Sequence, residues 1–276
     1  MDRQEINAKF RIVEVNSVLE SIEQDISLAL AKTKGQSKDN YNVILLYMMG
    51  KSLVSLREVL VLCSEGLPDG ALALSRNIYE QFVILAYLND KRDSEKFNEI
   101  IEKYEDDYTV QRARALKYEA EHLSKSKEKA KEYQDEIDRI KKKYGCKCKG
   151  EYWWSDVNGF KEMSDYVAEK NPEMEIFIRL MHLIYKRACL TIHSSYMGNR
   201  IRLGNMEDGV IDMGPWANGQ ESSLFLSVAS MVFLTGITYR NLHIKSEEVV
   251  QKLNELAIYY KSILNLRSKM CQQEEK

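Results

Sequence analysis

The stretch Asn171–Arg200, N-P-E-M-E-I-F-I-R-L-M-H-L-I-Y-K-R-A-C-L-T-I-H-S-S-Y-M-G-N-R, reads as one long helix. Asn171 suits an N-cap and Pro172 the first helical position, where its missing N–H costs nothing. Glu173 and Glu175 suit the positive end of the helix dipole. Apolar residues recur at helical spacing at Ile176, Leu180, Leu183, Ile184, Leu190 and Ile192, and Gly198-Asn199 ends the run. A second stripe carries chemistry: His182, Tyr185, Lys186, Cys189 and His193 fall within about 100° of arc.

Working outward, the same helical period fills the chain. With 3 Pro and 13 Gly in 276 residues there are few enforced turns, which favours long helices over many short strands. Residues 4–33 read as a first helix, with Ile6, Phe10, Val13, Ile22, Ile26 and Leu30 on one face. Residues 41–64 are apolar over most of the circumference, the mark of a central helix, and Asp39 or Asn40 can cap it. A second central helix runs from Asp69 to Leu88. It carries Arg76 and Glu80 one turn apart among Leu72, Leu74, Ile78, Phe82, Val83 and Leu85, with Tyr87 on the same face. Two readings of that pair stand: a structural ion pair pinning the helix to its neighbours, or a polar cleft facing the His193 helix.

Residues 94–144 change composition to Lys, Glu, Asp, Tyr and Arg with sparse apolar positions, and read as two solvated helices broken near Ser124–Ser126. They form a charged hairpin inserted in the bundle, either simply solvated or used as a partner-binding or dimerisation arm. Residues 1–93 and 150–270 then make one helical bundle domain, 94–149 the insertion, and 271–276 a frayed tail. Cys146 and Cys148 sit in a Gly-rich turn. A zinc site needs four ligands and no second pair is near, so a reduced turn is the expectation. Trp153 and Trp154 are expected to cap the end of the bundle core ahead of a short helix at about 160–169. Residues 201–219 are the one long irregular segment, placed to cover His193. Residues 220–242 are a strongly apolar helix and 246–269 the last one.

The totals bound the class. A net charge of −2 argues against an obligately basic nucleic-acid binder, and five cysteines without a spacing ladder fit reduced thiols in the cytoplasm. No apolar run reaches the roughly 18–20 residues of a membrane span, and Met1–Asn7 lacks a signal-peptide layout, so no membrane partner is expected. His182, Cys189 and His193 make a poor metal set, because His182 lies nearly two turns from Cys189; neither metal nor cofactor is expected.

Arg187 and His193 enclose five residues on a late helix of an all-helical chain. That Arg-x(4–6)-His pattern resembles the HEPN superfamily of prokaryotic helical domains. The resemblance extends to the earlier helix with Arg76-x(3)-Glu80, and to Trp153/Trp154, Tyr185-Lys186 and His193. It covers about residues 40–90 and 150–200 and does not account for the charged hairpin. It implies an all-α, HEPN-like bundle working as a homodimer whose two motifs share one cleft, with RNA as substrate and a regulatory protein as a further partner.

The activity so implied is a metal-independent RNase of a toxin or phage-defence system. His193 would take the proton from a ribose 2′-OH, and Arg187 or Lys186 would hold the phosphate, supported by Arg76, Glu80 and Tyr185. The chain departs from the pattern in two ways. Ala188 follows the Arg where the family often has a polar residue. On a straight helix Arg187 also points about 120° from His193, whereas Lys186 lies about 20° from it. The competing reading is a non-catalytic module that holds a nucleotide or a protein in the Arg76/Glu80/His193 cleft. A third is a structural adaptor that uses the hairpin.

Overall fold

The computed structural model describes residues 3–32, 39–145, 148, 150, 152–192 and 219–274. The protein is all-α, with no strand among the described residues. Its helices are α1 (Arg3–Lys9), α2 (Ile12–Lys32), α3 (Asn40–Ser64), α4 (Pro68–Asp90), α5 (Phe97–His122), α6 (Lys127–Tyr144), α7 (Phe160–Lys170), α8 (Glu175–Ile192), α9 (Gln220–Asn241) and α10 (Glu247–Glu274). The last helix therefore continues through four of the six residues expected to fray. The chain divides into two compact units, residues 1–86 with 167–276, and residues 87–166.

In the first unit α9 is the central element. Leu224, Phe225, Leu226, Val228, Ala229, Met231 and Leu234 are fully buried, and so are the small hydroxyl residues Ser223, Ser227, Ser230 and Thr235. Each large apolar side chain so buried contributes about 1.5–3 kcal/mol, and the small residues let α3, α8 and α10 approach. By length and composition α9 could cross a membrane, but 72% of its apolar window is buried inside the fold, as for the core helix of a bundle. Asp39 caps α3, its carboxylate accepting the Asn42 N–H at 2.7 Å.

Three sequence expectations change here. The first helix is two, broken at Phe10–Arg11, where Arg11 takes φ 50°. The Tyr259 hydroxyl donates to the Lys9 carbonyl at 2.6 Å, and the Tyr260 hydroxyl to that of Phe10. The break thus exposes carbonyls that α10 receives. Asn171 does not open α8. Its side-chain amide donates to the Val167 carbonyl at 2.7 Å and its N–H to that of Ala168 at 3.1 Å, closing α7 instead, so α8 starts at Glu175. The buried face of α8 takes in only part of its aliphatic stripe. Ile178, Met181, Ile184, Tyr185 and Ala188 are buried, whereas Ile176 is 82% and Leu183 50% exposed.

The second unit holds the two helices read between 94 and 144, joined at Ser124–Ser126, where Ser126 caps α6. They are not merely solvated. Val110, Ile140 and Cys148 form a small core with Tyr144 and Trp153 against it. Trp153 and Trp154 pack within this unit. The Trp153 Nε1 donates to Asp107, and Trp154 meets Tyr104 edge-on at 4.7 Å and Tyr87 at 6.0 Å.

Candidate functional site

Within the first unit, α4 and α8 bring a polar cluster together. On α4, Arg76, Tyr79 and Glu80 share one face by their three- and four-residue spacing; on α8, His182, Tyr185 and Cys189 do the same. Aromatic packing positions the two helices. Phe82 of α4 stacks on Phe233 of α9 at 4.5 Å, and Phe177 of α8 meets Phe225 at 5.2 Å and Phe233 at 6.4 Å. Such pairs contribute about 0.5–1.5 kcal/mol each beyond burial.

Glu80 is the hub. Its Oε1 accepts from the Arg76 Nε at 2.8 Å and from the Tyr185 hydroxyl at 2.9 Å. The Arg76 guanidinium also lies over the Tyr185 ring, 5.6 Å from its centroid. Tyr185 packs on the rings of Tyr79 at 5.3 Å and His182 at 5.6 Å, and the Tyr79 hydroxyl is 3.5 Å from His182 Nδ1. Tyr79 is fully buried and Tyr185 9% exposed, while the side chains of Arg76 and Glu80 keep 24% and 22% of their surface. The cluster is thus floored by phenol rings and open at its charged rim.

The electrostatics follow from that floor. Burial pushes the Tyr185 hydroxyl far above the usual tyrosine range, and the Glu80 charge beside it, with Cys189 nearby, adds to the shift; the group is a fixed neutral donor. Burial works against the Arg76 charge, but the hydrogen bond and charge of Glu80 outweigh it, so Arg76 is held as a cation. Among the described residues only its Nε has an acceptor.

Of the residues read from the sequence, Arg76, Glu80 and Tyr185 come together here. Lys186 and Arg187 do not join them: both are exposed, and Glu80 takes Tyr185 as its α8 partner rather than either cation. His193 lies outside the described residues, four positions beyond Cys189 in sequence, as do the Gly198-Asn199 stop, Arg200, nearly all of the 201–219 segment, and Cys146. Sequence reasoning missed Tyr79; its signal was the spacing Arg76-x-x-Tyr79-Glu80, which puts a phenol on the face of the ion pair. Cys148 is buried and its carbonyl accepts from Arg114 at 2.6 Å. Among the described residues no three His, Cys, Asp or Glu side chains gather as a metal site.

Residues 42–210, more than half of the chain, match the model of a family of unknown function (DUF5677), and the chain belongs to that family. The matched stretch takes in Arg76, Glu80, Tyr185 and His193. No curated protein and no solved structure matches the chain.

Proposed function

We propose that this DUF5677 member is a ribonuclease-type effector of a toxin or phage-defence system, HEPN-like, acting as a homodimer without metal, with His193 as general base. One observation carries the reading: Arg76 and Glu80 of α4 converge with Tyr185 of α8 in a half-open polar cluster, on the helix whose sequence leads into His193. In the reaction, neutral His193 accepts the proton of a ribose 2′-OH. The 2′-oxygen bonds to its own phosphorus, and the bond to the 5′-oxygen breaks, that oxygen taking up a proton. A 2′,3′-cyclic phosphate and a 5′-OH result. Lys186 or Arg187, exposed on α8, supplies the charge that holds the phosphate, and Arg76 and Glu80 support it from the rim of the α4 cluster.

The test is cleavage of RNA by the purified full chain in the presence of EDTA, with end-group analysis of the products. His193→Ala is expected to lower the rate about 10²–10⁴-fold, with the thermal midpoint held within a few degrees. A well-folded wild type that cleaves no RNA, or a His193→Ala protein with full activity, rejects the enzyme. A specific observation favours a second reading in that event. The Glu80 carboxylate already has two donors, and neither α8 cation is one of them. That arrangement suits a static module holding a nucleotide or a protein without turnover.

A further inference from the structure

We propose that the outer face of α3 is an interface between two copies of this chain, packed antiparallel about a two-fold axis between residues 54 and 55. α3 is buried on most of its circumference, with Leu45, Met49, Leu56, Val59 and Leu60 in the core, yet its outer face is also apolar. Tyr47, Val54 and Val61 recur every seven residues there and are 76%, 54% and 57% exposed. One exposed apolar side chain per two helical turns, with Gly50 between the first two, makes a line along which a second helix can lie.

Two further observations choose the partner. Gly50 sits in this stripe between Tyr47 and Val54, and a Cβ added to it would meet nothing within 4 Å. No contact inside the chain therefore requires glycine, although glycine weakens a helix interior relative to alanine. A second helix approaching closely at this point would use the missing side chain. Lys51 and Glu58 edge the stripe, both exposed, and neither makes an ion pair with any described residue. Seven residues separate them, about 10 Å of helix rise, too far to pair within one helix. They are equidistant from the point midway between Val54 and Ser55. An antiparallel copy then sets Lys51 of each chain against Glu58 of the other, twice by symmetry, while a parallel copy sets like against like. A surface whose charges complement themselves under a two-fold fits an isologous contact, and a second copy of the chain is its occupant. The inference rests on the homodimer of the proposed function and names its interface; molar mass tests the interface, and RNA cleavage tests the active site separately.

The test is the molar mass of the full-length chain by light scattering and sedimentation equilibrium over a concentration series. The wild type is expected to be a dimer. Val54→Arg is expected to give a monomer with unchanged helical content. Lys51→Glu and Glu58→Lys are each expected to raise the dimer dissociation constant about tenfold, and the double swap Lys51→Glu/Glu58→Lys to restore it. Should Val54→Arg fail to fold, the charge swaps decide. A monomeric wild type, a dimer that Val54→Arg leaves intact, or a double swap that does not recover from the single ones would overturn the proposal.

Discussion

Removing the Tyr185 hydroxyl should show how far Glu80 depends on its two donors. Tyr185→Phe keeps the ring contacts with Tyr79 and His182 and the guanidinium above it, and deletes the 2.9 Å bond to the carboxylate together with the hydroxyl's contact to Cys189. A hydrogen bond to a charged, partly buried acceptor is worth about 1.5–3 kcal/mol, and the 22% of its surface that Glu80 keeps argues for the lower half of that range. Arg76→Ala removes the other donor and leaves the carboxylate facing a phenol alone. Truncating one partner costs about 3–5 kcal/mol in a fully buried pair and well under 1 in an exposed one, so about 2–3 kcal/mol is expected here. Arg76→Ala/Glu80→Ala removes the orphan together with its partner. Its cost should fall short of the summed single costs by at least about 1 kcal/mol. The assay is urea unfolding of each variant followed by circular dichroism; at an ordinary slope, 2–3 kcal/mol moves the midpoint by about 1 M. Single costs under about 0.5 kcal/mol that simply add would refute the reasoning, because they describe a solvated ion pair rather than a hub.

In the second unit, burial and then the Asp107 charge push the Tyr104 hydroxyl up to about 12. Because the folded value lies above the unfolded one of about 10, this contribution is fully present below pH 10 and is lost as pH rises from there through 12; it amounts to about 2–3 kcal/mol. Urea melts followed by tryptophan fluorescence between pH 9 and 11 should therefore show a shallower alkaline loss for Tyr104→Phe than for wild type, and identical slopes would remove Tyr104 as the cause. Asp39→Ala should cost about 1 kcal/mol by deleting the cap on Asn42, and Asp39→Asn should recover most of it; a loss unchanged by asparagine would point to charge rather than capping.

The order of helices was legible because apolar periodicity is local. α3 and α4 read as the central helices, and α9 only as strongly apolar, although in the first unit α9 holds the centre with most of its circumference buried. The faces were less legible where two stripes competed. On α8 the aliphatic stripe divides: Ile184 is buried and Leu180 half-buried, whereas Ile176, Leu183, Leu190 and Ile192 are exposed. The tyrosine face is buried because Glu80, 105 positions away in sequence, supplies a partner for a phenol that would otherwise be costly to bury. The break at Arg11 was hidden for the same reason. The hydroxyls that receive its carbonyls come from Tyr259 and Tyr260, 250 positions away. Trp153 and Trp154 were read as serving the bundle because the charged run before them looked too polar to own a core; Val110, Ile140 and Cys148, with Tyr144 and Trp153 packed against them, were enough to make one. Within the site, Arg76, Glu80 and Tyr185 could be named from the sequence, but the helix period alone could not tell that Glu80 takes Tyr185 as its α8 partner rather than Lys186 or Arg187.

A phenol donating to a carboxylate is a device this chain uses repeatedly: Tyr239 to Asp25, Tyr144 to Asp106 and Tyr166 to Asp90 are bonded as Tyr185 is to Glu80. The Tyr185–Glu80 bond by itself is therefore a strut, and it carries no chemistry that the other three do not. Nor is the arginine's Nε bond particular to the site: Arg76 gives its Nε to Glu80 as Arg179 gives its Nε to Glu175, each at 2.8 Å and one helical turn apart, whereas Arg57 and Arg11 each use two nitrogens on one carboxylate. What the cluster adds is that Glu80 accepts from an arginine of its own helix and a tyrosine of α8 at once, with the guanidinium over the tyrosine ring and about a quarter of the Arg76 side chain exposed. The proposed function therefore stands on that convergence of α4 with α8, and neither the phenol nor the arginine would carry it alone.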